Sequence, residues 1–148
     1  KRIAGYNKAL MANYVPQVKE HIIQVDYGQS REELIKNLTT LLDLKLKEFK
    51  NPIGLLGTTD TLTVASLGIL SNLGVSVPEQ VAVIGFANTE AAESLNPSLS
   101  CIIQPAKEIG YKGVEQLINL IGAKDRFQMD FNSIMLDTQI IQRRSTTS

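Results

Sequence analysis

Short apolar runs alternate along the chain with longer segments in which apolar residues recur at helical spacing. The apolar runs predict strands, which are expected at residues 21–25, Ile53–Gly57, Val81–Phe86 and Ser100–Ile103. The unbroken apolar character of Ile53–Gly57 predicts a strand that is buried on both faces. Alternation over residues 134–141 predicts a last edge strand, which could run antiparallel to the others.

The segments between these runs carry apolar side chains three or four positions apart, which predicts helices. The first helix is expected over residues 3–10, and the second follows Ser30, a residue type that caps helices well. Three further helices are expected at 60–73, 90–95 and 105–121. Helices that alternate with strands are typical of an α/β fold with a parallel sheet and right-handed crossovers.

Three predicted strands are each followed by a short polar segment that leads into a helix. These strand exits are residues 26–29, 58–60 and 87–90. The carboxyl ends of parallel strands meet at one edge of a sheet, and ligands bind at that edge in open α/β folds. The three exits therefore predict a ligand-binding rim.

Length and charge narrow the class of protein. A chain of 148 residues allows one domain or at most two small lobes. Its 15 basic and 15 acidic residues cancel, which argues against nucleic-acid binding by this chain itself, because such binding rests on a basic surface. No apolar run reaches the roughly 20 residues of a membrane span. The chain begins at Lys1, inside a predicted helix, so we expect Lys1 to be a cut end of a longer protein.

Residues that could support catalysis or metal binding are few. No dinucleotide fingerprint, phosphate loop or nucleophile elbow is present. The one histidine, His21, is best interpreted as a surface or strand-end residue, and the one cysteine, Cys101, as a small core residue. Asp60 could act as a general acid or base, although a helix N-cap, a role that Thr59 could also fill, is the favoured interpretation. The sequence therefore favours binding over catalysis and predicts no metal and no cofactor.

Several stretches together are similar to the LacI/GalR (lactose-repressor) family of bacterial transcription regulators. The most specific are "GVSVPEQVAVIGFANTE" and "NPSLSCIIQPAKEIG", and the ending "QRRST" also fits the family pattern. The combination of "GF-x-NT" with the polar segment after the second strand resembles the Bacteroidetes branch of the family.

The resemblance implies the periplasmic-binding-protein-like (type I) fold, in which two Rossmann-like lobes enclose a ligand cleft. It implies that residues 1–148 are an effector-binding fragment, mostly the C-terminal lobe, with 104–148 partly in the N-terminal lobe. The helix-turn-helix that binds operator DNA would lie outside this chain. A cytoplasmic location and a small carbohydrate-like effector, bound to control operator affinity, are also implied.

Arg2 and Tyr27 stand where, by resemblance, family members contact the effector. Arg2 takes the place of an arginine that reaches sugar hydroxyls, a role that suits the planar fork of guanidinium donors. The alternative for Arg2 is an exposed helix arginine. Tyr27 lies near the place of an aromatic residue that stacks on the sugar, and its alternative is a partly buried loop tyrosine.

Four further positions match effector-binding loops of the family. Thr59 replaces a frequent asparagine ligand, and Asp60 matches a residue that holds the loop. Ala87 replaces an aspartate that binds sugar hydroxyls in many members, which an alanine cannot do. Asn88 or the neighbouring Thr89 could substitute for it.

The resemblance also implies a side-by-side homodimer. The helix at 60–73 and the strand near 100–104 would contribute to it, with Ala65, Ser66 and Gly68 allowing close helix approach. Packing of these small residues on the chain's own sheet is the alternative.

Two other functions compete with the regulator. A solute-binding protein for sugar transport would have the same fold, but the ending "QRRST" favours the regulator. An enzyme that uses Asp60 or Asp26 is the second rival. The lack of a nucleophile with its base counts against it.

Overall fold

The computed structural model describes residues 1–26, 28–50, 52–122 and 133–147 of the chain. It contains the helices α1 (Arg2–Ala12), α2 (Arg31–Glu48), α3 (Asp60–Asn72) and α4 (Ala106–Gly122). The strands are β1 (Ile53–Gly57), β2 (Val81–Phe86), β3 (Ser100–Ile103) and β4 (Gln139–Ile141). Two 3₁₀ turns cover Lys19–His21 and Glu90–Glu93. The predicted α/β fold is confirmed.

The four strands form one sheet in the order β1-β2-β3-β4. β1 and β2 run parallel with Leu55 opposite Val83, and β2 and β3 run parallel with Gly85 opposite Cys101. β4 pairs antiparallel with β3 at the edge. The predicted antiparallel edge strand is confirmed, but it covers three residues instead of eight.

The predicted strand at 21–25 is wrong. His21 ends the first 3₁₀ turn, and residues 22–26 adopt no regular secondary structure. Ile23 and Val25 instead pack against Leu38, Leu42 and Ile69 of α2 and α3. The alternating apolar pattern therefore serves side-chain burial, which does not require pairing of the backbone with a neighbouring strand.

The prediction that β1 is buried on both faces is also wrong. Leu55 packs against the core, but Gly54 and Leu56 on the opposite face are exposed. No residue of α1 is buried, so that helix does not cover this face completely. An unbroken apolar run indicates only that both faces of the strand are apolar. Whether each face is buried depends on which other parts of the chain pack against it.

The core lies between the sheet and helices α2 and α3. Leu67 and Leu70 of α3 pack with Val81 and Val83 of β2, while α2 packs on α3 from outside. Ser30 caps α2 as predicted, because its hydroxyl accepts the Glu33 N–H while the Glu33 carboxylate accepts the Ser30 N–H. These contacts fix both helices beside the strand ends.

The first turn of α3 packs tightly on the ends of β1 and β2. Thr63 is fully buried, and its hydroxyl donates to the Thr59 carbonyl oxygen at 2.7 Å. Gly57 and Gly85 lie directly beneath it, where a Cβ atom on either glycine would overlap Thr63. The two glycines therefore allow the helix start and the strand ends to meet.

After β4 the chain returns to the middle of the sheet, and residues 143–147 form what we term the C-terminal wedge. The Val83 N–H donates to the Ser145 carbonyl oxygen, and the Ser145 hydroxyl donates to the Val83 carbonyl oxygen at 2.6 Å. The same hydroxyl accepts the Ser100 N–H at 2.8 Å. The C-terminal wedge thus joins β2 and β3 where these strands no longer pair directly.

α4 differs from the other long helices in its exposure. No residue of Ala106–Gly122 is buried, although its apolar side chains fall at helical spacing. Val114, Leu117 and Ile118 are each more than half exposed. In the described part of the chain, α4 therefore has an apolar face without cover.

Candidate functional site

An open cavity of about 260 Å³ lies at the carboxyl ends of β1 and β2. Its lining is Arg2, Thr59, Asp60, Phe86, Ala87, Asn88 and Gln104. Five of the six predicted ligand-binding residues are thus brought together. Tyr27 lies outside the described residues. A wider neighbouring groove of about 780 Å³ shares Asp60 and Asn88 with the cavity.

Two of the three predicted strand exits, 58–60 and 87–90, form this rim. The third exit, residues 26–29, contributes no described residue to the lining of the cavity. Within that exit the Asp26 carboxylate accepts the Gly28 N–H at 2.8 Å, which closes a local turn.

Arg2 reaches the site from the start of α1. Its guanidinium carbon lies 4.2 Å from the centre of the Phe86 ring, and one N–H group donates to the Thr58 carbonyl oxygen. Stacking on the ring and the backbone bond together hold the guanidinium at the mouth of the cavity. The prediction identified Arg2 and missed Phe86, whose position as the last residue of an apolar strand was the available signal.

Asp60 does not cap α3. Thr59 is the N-cap, and its hydroxyl accepts the Leu62 N–H at 3.3 Å. Asp60 is the first residue of the helix, and its carboxylate accepts the Asn88 N–H at 2.8 Å. The favoured prediction of an Asp60 cap is therefore wrong, and the alternative cap, Thr59, is confirmed. The bond from Asn88 ties exit 87–90 to the start of α3, while the loop-holding role that the resemblance implies for Asp60 stays a prediction.

Ala87 and Asn88 line the cavity in different ways. Ala87 is only 1% exposed, and its methyl group packs in the core. Asn88 is exposed, but both ends of its carboxamide are bonded to Gln104: Nδ2 donates to the Gln104 carbonyl oxygen at 2.8 Å, and Oδ1 accepts the Gln104 N–H at 3.0 Å. Gln104 was not predicted, because only the folded sheet places it beside Asn88.

His21 lies apart from the cavity and is exposed, as predicted. Its ring meets the Phe49 ring edge-on, with 4.8 Å between the ring centres. In the described residues no cluster of histidine, cysteine and carboxylate side chains could hold a metal ion. Over the same described ranges, no helix is long and apolar enough to cross a membrane.

Cys101 is fully buried in the core, as predicted. Burial raises the pKa of its thiol, and the nearby Arg143 opposes this effect more weakly. The only cysteine of the chain is therefore held as a neutral thiol that reagents do not reach.

We expect a thiol reagent at pH 8 to label Cys101 at least about 100-fold more slowly in the folded protein than in denaturant. Because folding raises the pKa of the thiol, its contribution to stability is complete below the unfolded pKa and declines as the pH rises above it. Timed labelling with detection by mass spectrometry measures the ratio. Equal rates in both states would contradict the burial.

Comparisons with known proteins match nearly the whole chain. Residues 1–146 match the family described as the periplasmic binding protein-like domain. The chain is 28% identical over 125 residues to the HTH-type transcriptional repressor PurR of Vibrio parahaemolyticus, covering 84% of the chain and 36% of that protein. It is 26% identical over 147 residues to catabolite control protein A of Priestia megaterium, covering 99% and 41%.

Solved structures give a consistent result. The regulator CcpA of Lactococcus lactis superposes with a TM-score of 0.79 at 26% identity, over 99% of this chain and 50% of that one. A LacI family regulator from Enterococcus faecium with bound ribose superposes with a TM-score of 0.72 at 25% identity, over 98% and 50%. The chain spans about two fifths of the length of the two curated relatives named above.

Proposed function

Because the chain belongs to the family of periplasmic binding protein-like domains, we propose that it is the effector-sensing part of a LacI-type transcription regulator. The resemblance predicted from the sequence is confirmed by this match and by relatives that are regulators of that type. The assignment to the Bacteroidetes branch stays a prediction.

The cavity at the strand ends is the observation that carries the proposal. It lies at the sheet edge where ligands bind in α/β folds, and it offers the Arg2 guanidinium, which stacks on the Phe86 ring, and the Asp60 carboxylate. Donors, acceptors and an aromatic surface are what a sugar with hydroxyl groups and apolar C–H faces requires. Ribose in the Enterococcus faecium relative supports a carbohydrate-like effector.

The proposed contacts include all six predicted positions. Arg2 donates to hydroxyl groups, Tyr27 stacks on the sugar, and Thr59 and Asp60 contribute side-chain oxygens. Ala87 and Asn88 complete the rim. Ala87 contributes no side-chain hydrogen bond, because its methyl group packs in the core and carries no polar atom.

We further propose that the described lobe works as half of a cleft. The exposed apolar face of α4 supports the assignment of residues 104–148 partly to the N-terminal lobe. Effector binding then changes the orientation of the two lobes relative to each other, and this change alters the affinity for operator DNA. The DNA reader lies outside this chain, and the location is cytoplasmic.

Homodimerisation through α3 is part of the proposal. Gly68 is exposed, and a Cβ atom there would meet no atom within 4 Å, so this face can accept a close partner. Ser66, in contrast, is buried within the chain and is therefore not available for the partner.

The two rival functions receive less support. A transport receptor would share the fold, but the relatives reported above are transcription regulators. We propose that no catalytic step occurs, since the Asp60 carboxylate is engaged by the Asn88 N–H and no histidine lies beside it in the described structure.

The proposal is tested on the protein expressed from its whole gene. DNA from the region upstream of that gene is titrated in the presence of ribose, cellobiose and other sugars. We expect at least one sugar to change the DNA affinity by about tenfold, a coupling of about 1.4 kcal/mol. If none of the sugars changes DNA binding, or if the protein does not bind DNA, the proposed function is wrong.

Replacement of Arg2 with alanine is expected to weaken binding of the active sugar by about 10- to 100-fold, because charge-assisted hydrogen bonds are worth about 1.5–3 kcal/mol. Calorimetric titration measures the change. Lys8→Ala is the matched control, since it removes an exposed cation from the same helix away from the cavity. Equal affinities of the two variants would contradict the role of Arg2.

A further inference from the structure

Asn88 extends the pairing of β2 and β3 beyond the end of the strands. Phe86 lies opposite Ile102 in the parallel register, so its continuation would place Ala87 opposite Ile103 and Asn88 opposite Gln104. The β2 backbone has already turned away, because the Asn88 N–H donates to the Asp60 carboxylate at 2.8 Å.

At this position the side chain of Asn88, and not the β2 backbone, forms the hydrogen bonds with Gln104. A carboxamide carries an acceptor oxygen and an N–H donor on the same side of one carbon atom, so it can bond to both the N–H and the carbonyl oxygen of a single residue. Its Nδ2 atom donates to the Gln104 carbonyl oxygen, and its Oδ1 atom accepts the Gln104 N–H. Aspartate would lack the donor, and alanine would lack both groups.

Gln104 is the last residue before the chain leaves the sheet for α4. Pro105 follows, which removes one N–H group and confines Gln104 to extended backbone. The Gln104 carbonyl oxygen also accepts the Ala106 N–H at 2.8 Å, at the start of α4. We term residues 103–106 the crossing. The crossing joins β3 to α4, a helix of which no residue is buried.

We propose that Asn88 is a positioning residue, whose carboxamide fixes the crossing and, through the Asn88 N–H and the Asp60 carboxylate, connects it to the cavity. A sugar whose hydroxyl groups donate to the Asp60 carboxylate weakens the bond that the Asn88 N–H donates to the same carboxylate, and thereby alters the restraint on Gln104. The effect of the sugar rests on the proposed function, whereas the restraint of Gln104 by Asn88 does not.

The restraint is tested by hydrogen exchange in the protein expressed from its whole gene, labelled with ¹⁵N-glutamine and ¹⁵N-valine. In Asn88→Ala we expect the Gln104 N–H to exchange about tenfold faster or more, since one hydrogen bond is lost. Asn88→Asp keeps the acceptor and is expected to retain protection of the Gln104 N–H to within about threefold. Exchange of Gln104 at the wild-type rate in Asn88→Ala would overturn the proposal.

Two controls separate this local effect from general loss of structure. The Val83 N–H, bonded to Ser145 in the middle of the sheet, is expected to keep its exchange rate in both Asn88 variants. Lys8→Ala, which changes an exposed residue of α1 away from the cavity, is expected to leave Gln104 unchanged. Faster exchange of Val83 and Gln104 together would mean unfolding and would overturn the positioning role.

The link to the cavity is tested with the sugar that changes DNA binding in the wild type. The factor by which saturating sugar changes operator affinity is expected to fall at least about fivefold in Asn88→Ala and to persist in Lys8→Ala. A factor that persists in Asn88→Ala, despite faster Gln104 exchange, would overturn the link. If the wild type itself shows no response to sugar, the proposed function and the link fail, and the exchange rates still decide the restraint.

Discussion

Replacement of Gly85 with alanine is expected to lower the free energy of unfolding by about 3 kcal/mol, at the upper end of the usual cost of overpacking. The added Cβ atom would overlap the hydroxyl of Thr63, meet its methyl carbon at 2.5 Å and the Gly57 carbonyl oxygen at 2.8 Å. Thr63 is fully buried and bonded to Thr59, and the third neighbour is backbone. None of these atoms can move away from the added Cβ atom without separating α3 from the ends of β1 and β2.

Denaturant titration of the variant measures this loss. Gly54→Ala in β1 is the matched control, because a Cβ atom there meets nothing within 4 Å. Its stability is expected to stay within about 0.5 kcal/mol of the parent. Adding Thr63→Ala to Gly85→Ala is expected to recover part of the loss, since the overlap with Gly57 remains. Equal stability of Gly85→Ala and Gly54→Ala would contradict the close packing.

The variant Ser145→Ala is expected to lose about 3 kcal/mol, because it leaves two buried backbone groups without their partner. The Ser145 hydroxyl donates to the Val83 carbonyl oxygen and accepts the Ser100 N–H, and the residue is fully buried. Alanine fits the space but offers neither a donor nor an acceptor.

The matched control for Ser145 lies in the same C-terminal wedge. The Thr147 hydroxyl donates to the Arg143 carbonyl oxygen at the surface, and Thr147→Ala is expected to change stability by no more than about 0.5 kcal/mol. Thermal and denaturant unfolding of both variants measures the difference. A Ser145→Ala protein as stable as Thr147→Ala would show that the bonds of Ser145 do not hold β2 and β3 together.

Some elements could be predicted correctly because the residues that form them are neighbours in the sequence. Ser30 and Glu33 form a capping box within four residues, and α2 begins after Ser30 as predicted. The segment at 21–25 was misassigned because its apolar pattern fits a strand equally well when only the side chains are buried. Whether its backbone pairs with another strand depends on residues distant in sequence.

The candidate site likewise has features that the sequence predicted and features that it did not. The convergence of exits 58–60 and 87–90 followed from strand order, and the family resemblance placed Arg2 and Asp60 there. The bonds between Asn88 and Gln104 join residues 16 apart and depend on the register of two strands. Neither composition nor spacing reports that register, so the engagement of the carboxamide could not be predicted.

The C-terminal wedge has a consequence for the order of events during synthesis. Ser145 follows its partner Val83 by 62 residues, so a ribosome that adds about 5–20 residues per second makes β2 roughly 3–12 seconds before the partner exists. During that interval, peptide groups of a central strand are open to other nascent chains. A polypeptide that is released before Ser145 is made would keep this edge exposed. Quality-control chaperones bind such unpaired edges, and the same edges promote aggregation.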